Sequence, residues 1–104
     1  MNIAKMLKQA QQMQGKMQAV QEELGQRQVE ASAGGGKVKV VATAAGDIVS
    51  IHIDPTVVSA DDVEMLEDLV LTGVRQAIEE GRRVMADEMK KVTGSMGLPP
   101  GLGF

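Results

Sequence analysis

The side chains best placed to do chemistry in this chain are cations. Lys5, Lys8 and Lys16 give residues 1–21 a charge of +3, with no acid among them. Arg75, Arg82, Arg83, Lys90 and Lys91 outnumber Glu79, Glu80, Asp87 and Glu88 over residues 75–91. Between these clusters, residues 61–68 carry Asp61, Asp62, Glu64, Glu67 and Asp68 and no base. Lysine and arginine on helices can neutralise phosphates, a contact indifferent to base sequence. Solvated helix faces carry similar runs, so charge alone does not identify a ligand.

Other chemistries have less to work with. Zero Cys excludes a disulfide scaffold, a thiolate zinc site and a thiol nucleophile. His52 is the only histidine and stands two residues before Asp54, on the same face if both lie in a strand. A histidine beside a carboxylate can act as a base, but this pair has no nucleophile or metal partner. Gly34-Gly35-Gly36 leads into a strand-like run and not a helix, so it reads as a turn and not as a phosphate loop. No enzyme activity, cofactor, metal site or small-molecule substrate is expected.

With one Phe, no Tyr and no Trp, the chain lacks stacking platforms for single-stranded nucleic acid. A net charge of −3 and a pI of about 5.1 exclude a uniformly basic coat. No stretch resembles a signal peptide or reaches membrane-span length, which sets the expectation of a cytoplasmic protein without membrane contact.

These cations need elements to position them. Ile3, Met6, Ala10, Met13, Met17, Val20 and Leu24 recur at spacings of three and four, predicting a helix over residues 2–25 with Gly25 as its stop. Residues 28–33, 37–43 and 48–53 read as strands, separated by Gly34-Gly35-Gly36 and Ala45-Gly46-Asp47 turns. Within the second run, Val38, Val40 and Ala42 share one side and Lys37 and Lys39 the other. Asp54-Pro55 ends the sheet, and Ser59 with Asp62 reads as a capping pair. A second helix then keeps its 3,4 rhythm through Leu66, Val70, Gly73, Ala77, Gly81 and Val84, to end near Val92. The expected fold is α+β, in two layers: a long helix, a three-stranded antiparallel meander and a long helix. Residues 1–94 form one domain, and residues 95–104 a flexible Gly/Pro-rich tail.

Length adds a constraint. The helices are roughly 36 and 48 Å long, whereas six-residue strands reach about 20 Å. Both helices must therefore project past the sheet as arms, each with an apolar stripe. An aromatic-free core in an 11.0 kDa chain is small, so a homodimer is expected to supply the rest. The simplest packing sets Lys5 and Lys8 beside Lys90 and Lys91 at an arm tip, with Arg82 and Arg83 two turns back.

In this order of elements the sequence resembles the YbaB/EbfC family of bacterial nucleoid-associated proteins. The resemblance rests on MLKQAQQMQGKMQAVQEEL, GGGKVKVVATAAGDIVSIHIDP, ADDVEMLEDLVLTGVRQAIEEG and GLPPGLGF, which together span nearly the whole chain. It implies a tweezer-shaped homodimer that clamps double-stranded DNA with little sequence demand, organising the nucleoid or altering gene expression. The family has no crisp contact motif, so the DNA-binding set is assigned on charge and placement: Lys5, Lys8, Lys16, Arg82, Arg83, Lys90 and Lys91. The alternative is a helical protein-interaction or chaperone-like module whose Met-rich seam docks a partner.

Overall fold

The computed structural model describes residues 2–95. Helix α1 spans Ile3–Leu24, strands β1, β2 and β3 span Gln28–Ala33, Val38–Thr43 and Ile48–Ile53, and helix α2 spans Val63–Ser95. A short 3₁₀ turn, Pro55–Val57, links sheet to helix. The α+β order of helix, three strands and helix is as expected, and the strand limits agree to within one residue. The helix ends carry identifiable caps. The Asn2 side chain accepts the Lys5 N–H at 3.1 Å, and Asp62 accepts that of Met65 at 3.1 Å. Ser59 instead holds the preceding turn, accepting from the Asp61 N–H at 3.2 Å. Gly25 stays right-handed, with φ −62°, so α1 does not end in the left-handed cap its glycine suggested. Helix α2 runs three residues past the expected end at Val92, through Gly94, while the tail proper lies outside the described residues.

The sheet has order β1-β2-β3, antiparallel throughout. Its inner face carries Val38, Val40 and Ala42, all fully buried, packed with Ala77 of α2. The outer face is polar: Ser32, Lys39 and His52 lie side by side across the three strands. Val41 pairs with Ser50 and Ala42 with Ile48, so Val49 is an extra residue in β3. This bulge restores the alternation: Ile53, Ile51 and Ile48 all stand opposite inner-face residues.

Helix α2 can lie close to the sheet because Gly73, Ala77 and Gly81 line its buried stripe. A Cβ at Gly81 would sit 2.8 Å from the Thr43 carbonyl oxygen and 3.2 Å from Ala44 Cα. At Gly73 it would meet Val40 Cγ2 at 3.0 Å. Backbone cannot retreat as a side chain can, so Gly81 sets the spacing. Further along α2, Val84 packs with Leu24 and Ala44 in a second buried cluster, to which Val20 and Met85 add. From there both helices leave the sheet. The chain is 71 Å long and 22 Å by 16 Å across, longer than α2 alone at about 50 Å.

The two glycine environments predict opposite substitutions. Gly81→Ala should cost about 1–3 kcal/mol by forcing α2 off the sheet. Gly15→Ala, in α1 with nothing within 4 Å of the added methyl, should add about 0.5–1 kcal/mol through helix propensity. Urea unfolding measures both, and a Gly81→Ala protein as stable as the parent would refute the close-approach argument.

Candidate nucleic-acid interface

The seam between the helices fixes how far each cation stands from the sheet. Leu24 is level with Val84, and Arg27 just beyond it forms an ion pair with Glu88 at 3.2 Å. Lys8 is sixteen residues from Leu24, or about 24 Å along α1, while Lys90 is six from Val84, or about 9 Å along α2. Lys5 and Lys8 therefore stand roughly 15–20 Å further out than Lys90 and Lys91. They do not form one tip cluster. Lys16 is the α1 lysine level with Lys90 and Lys91. The difference arises because α2 remains on the sheet as far as Val84, leaving only its last three turns for the arm. The outer half of α1 is correspondingly bare, with Ile3 66% and Met6 54% exposed, whereas Met13, Met89 and Val92 are buried.

Ion pairing divides the cations a second time. Arg83 donates to Glu80 through Nε at 3.2 Å and to Asp87 through Nη1 at 3.1 Å. Lys91 Nζ donates to Glu88 Oε1 at 3.2 Å, on the same oxygen that accepts from Arg27. The donated hydrogen bond from Arg83 holds the Glu80 carboxyl below its ordinary range, and that from Lys91, aided by Arg27, does the same for Glu88. The Arg83 guanidinium is raised in return, chiefly by its bond to Glu80. Among the described residues, by contrast, Lys5, Lys8, Lys16 and Arg82 make no ion pair, and all four are exposed.

Arg75 joins that group. It stands one heptad before Arg82 on the same flank of α2, where the two arginines border a shallow groove with Ile78 and Glu79 between them. The seven-residue spacing was the available signal, but net charge over the segment concealed it. The acids around Arg83 were equally legible at i−3 and i+4.

His52 does not form a base. It is exposed, and Asp54 is engaged elsewhere, accepting from the Thr56 N–H at 2.8 Å and hydroxyl at 2.7 Å and lying 3.5 Å from Lys37 Nζ. The Thr56 backbone bond is the main reason the Asp54 carboxyl is lowered. Gly34, Gly35 and Gly36 all have positive φ, as a tight turn requires. Neither helix is long and apolar enough to cross a membrane.

The scaffold that carries these cations is shared with known proteins. The family model described as the YbaB/EbfC DNA-binding family matches residues 1–96. The chain belongs to this family. It is a DNA-binding family and not an enzyme family, in keeping with the reading of His52. The nucleoid-associated protein Teth39_2199 of Thermoanaerobacter pseudethanolicus is 54% identical over 98 residues, covering 94% of this chain and 88% of the relative. A nucleoid-associated protein of Akkermansia muciniphila is 46% identical over 104 residues, the full length of both chains. The crystal structure of the uncharacterized protein HP0035 from Helicobacter pylori shares the fold, with a TM-score of 0.67 at 19% identity over 92% of this chain and 97% of that one.

The lowered carboxyls make a directional prediction. The stability that Asp54, Glu80 and Glu88 contribute is present above their unfolded-state pKa values and is lost as pH falls through the lowered folded ones. An NMR titration should find all three carboxyls below ordinary values, with about 1 M salt moving Glu80 and Glu88 back toward them. Ordinary titration of Glu80 and Glu88 at low salt would mean that these pairs do not persist in solution.

Proposed function

We propose that this chain acts as a homodimeric, nucleoid-associated DNA-binding protein that holds duplex DNA through its helical arms and altering DNA shape thereby affects gene expression. The carrying observation is the set of exposed cations with no internal acid partner among the described residues: Lys5, Lys8 and Lys16 on the α1 arm, with Arg82 on α2 just before it leaves the sheet. Family membership and the nucleoid-associated names of its relatives support the same reading and a nucleoid location in the cytoplasm. Lys90, Arg83 and Lys91 belong to the proposed contact surface as well. Arg83 and Lys91 can reach phosphate only by exchanging a carboxylate for it, so each contributes less than an unpaired lysine.

Binding of this kind needs no base readout. Phosphate contacts position the protein and release counterions, giving affinity that falls steeply with salt and little with sequence. The acids of residues 61–68 lie at the opposite end of α2 from Lys90 and Lys91, where they do not repel DNA held between arms. A protein-interaction module is the second reading, favoured by the bare Ile3 and Met6 at the outer end of the α1 seam. Such a module would not be shifted by duplex DNA at physiological salt.

A mobility-shift titration separates these readings. Replacing Lys5 and Lys8 by Gln in both protomers should reduce the slope of log affinity against log salt by roughly three units. Lys91→Gln should reduce it less, and Glu88→Gln, which releases Lys91, should steepen it and tighten binding. Neither lysine change should alter the melting temperature appreciably, because the side chains are solvated. Unchanged affinity and slope in the Lys5→Gln, Lys8→Gln variant would exclude the arm as the contact.

A further inference from the structure

We infer that residues 96–104 dock on the bare apolar stripe at the outer end of α1 in the same chain and hold those turns helical. Ile3, Met6, Leu7 and Ala10 recur at i, i+3, i+4 and i+7, so they share one face of the helix. All four are exposed, Leu7 at 59%. Next along the same seam Met13 is buried, because α2 covers α1 from there inward. The stripe is core-type surface that loses its cover at one definite point.

That point is where α2 ends. Leu24 is level with Val84, and α2 continues about 16 Å beyond Val84 to Ser95, which brings its end level with Met13. From Met13 the stripe runs about 15 Å further out, to Ile3. Residues 96–104 therefore begin beside the bare stripe, and Pro99-Pro100 cannot continue a helix along it. In an extended, proline-type backbone, residues 96–100 cover about 15 Å, the length of the stripe. Gly101 then permits the turn that returns Leu102 and Phe104 to it.

The chemistry of the segment matches the surface. Glycine and proline content alone reads residues 96–104 as a flexible tail, yet they carry no charged side chain and include Met96, Leu98, Leu102 and Phe104. Segments that stay solvated are usually rich in charge and poor in such residues. Met96 stands four residues after the buried Val92, in step with the α2 stripe, so the apolar pattern passes from helix into tail without a gap. A helix from another protein would compete with a segment tethered beside the site, at an effective concentration on the order of millimolar.

Docking has a consequence for the arm. The turns of α1 beyond Met13 stand alone, and a helix that short is marginal in water. Lys5 and Lys8 lie about 150° around the helix from the centre of the stripe, so a docked tail supports the backbone that carries them and leaves both exposed. Residues 96–104 thus serve as a positioning strap for two of the proposed phosphate contacts. This last step rests on the DNA reading; the docking itself does not.

Phe104 carries the chain's only phenyl ring, so docking can be observed in the unmodified protein. NMR of the full chain should show nuclear Overhauser contacts from that ring or the Leu98 methyls to the methyls of Ile3, Met6 or Leu7. In hydrogen exchange without DNA, the amides of residues 7–12 should exchange at least about tenfold faster in Leu98→Ser, Leu102→Ser than in the parent, with Val38 and Val40 unchanged. Leu98→Met, Leu102→Met should keep the parental rates. The Ser variant should also bind duplex DNA several-fold more weakly at an unchanged salt slope, since it loses no charge. Absent contacts, or equal exchange in the two proteins, would overturn the docking and leave DNA binding standing. The same contacts in an isotope-filtered spectrum of mixed labelled and unlabelled protein would put the tail on a second copy and overturn its assignment to its own chain. Docking with DNA affinity unchanged in the Ser variant would overturn the strap role alone.

Discussion

The approach of α2 to the second strand governs the rest of this molecule. Where the helix crosses the sheet it presents Gly73, Ala77 and Gly81, and a methyl at Gly81 would lie 2.8 Å from the Thr43 carbonyl oxygen. With the helix held there, its axis stays over β1 and β2 and leaves β3 uncovered. It also meets the end of α1 at Val84, where Leu24 and Ala44 close the second cluster. Only the last turns of α2 are then free to form an arm. The bare strand and the unequal arms thus follow from one steric contact.

Much of this was legible in the sequence, where periodicity carries local information. The 3,4 spacing from Ile3 to Leu24 marks α1, and alternation around Val38 and Val40 marks β2 and its buried side. The Val49 bulge was not legible, because Ile48-Val49 reads equally well in either register until pairing with β2 selects one. Gly73 and Gly81 were visible as members of the stripe, but their role depends on the carbonyl and methyl opposite them. The placement of Lys5 and Lys8 beside Lys90 and Lys91 failed for a related reason. Helix lengths do not reveal where two helices meet, and the Leu24 to Val84 contact lies sixty residues apart in the chain.

The charges show a similar split between local and long-range information. Arg83 has its acids at i−3 and i+4, so its partial neutralisation could be read from spacing. Glu88 serves both Lys91, three residues away, and Arg27, sixty-one residues away, and only the former was legible. The outcome is an acidic chain whose unpartnered cations nevertheless gather on helices that project from the sheet. Net charge describes its behaviour in bulk solution, whereas distribution along the arms determines which polyanion it can meet.

Arms that hold duplex DNA through its phosphates, as proposed, bind without reading its bases. The most direct measurement is the affinity of the unmodified protein for two duplexes of unrelated sequence, each titrated over a range of salt concentrations. Two nearly coincident lines of log affinity against log salt are expected, both falling with a slope of about −0.9 for each phosphate neutralised. Lines with little slope, or a wide separation between the two sequences at equal salt, would contradict it.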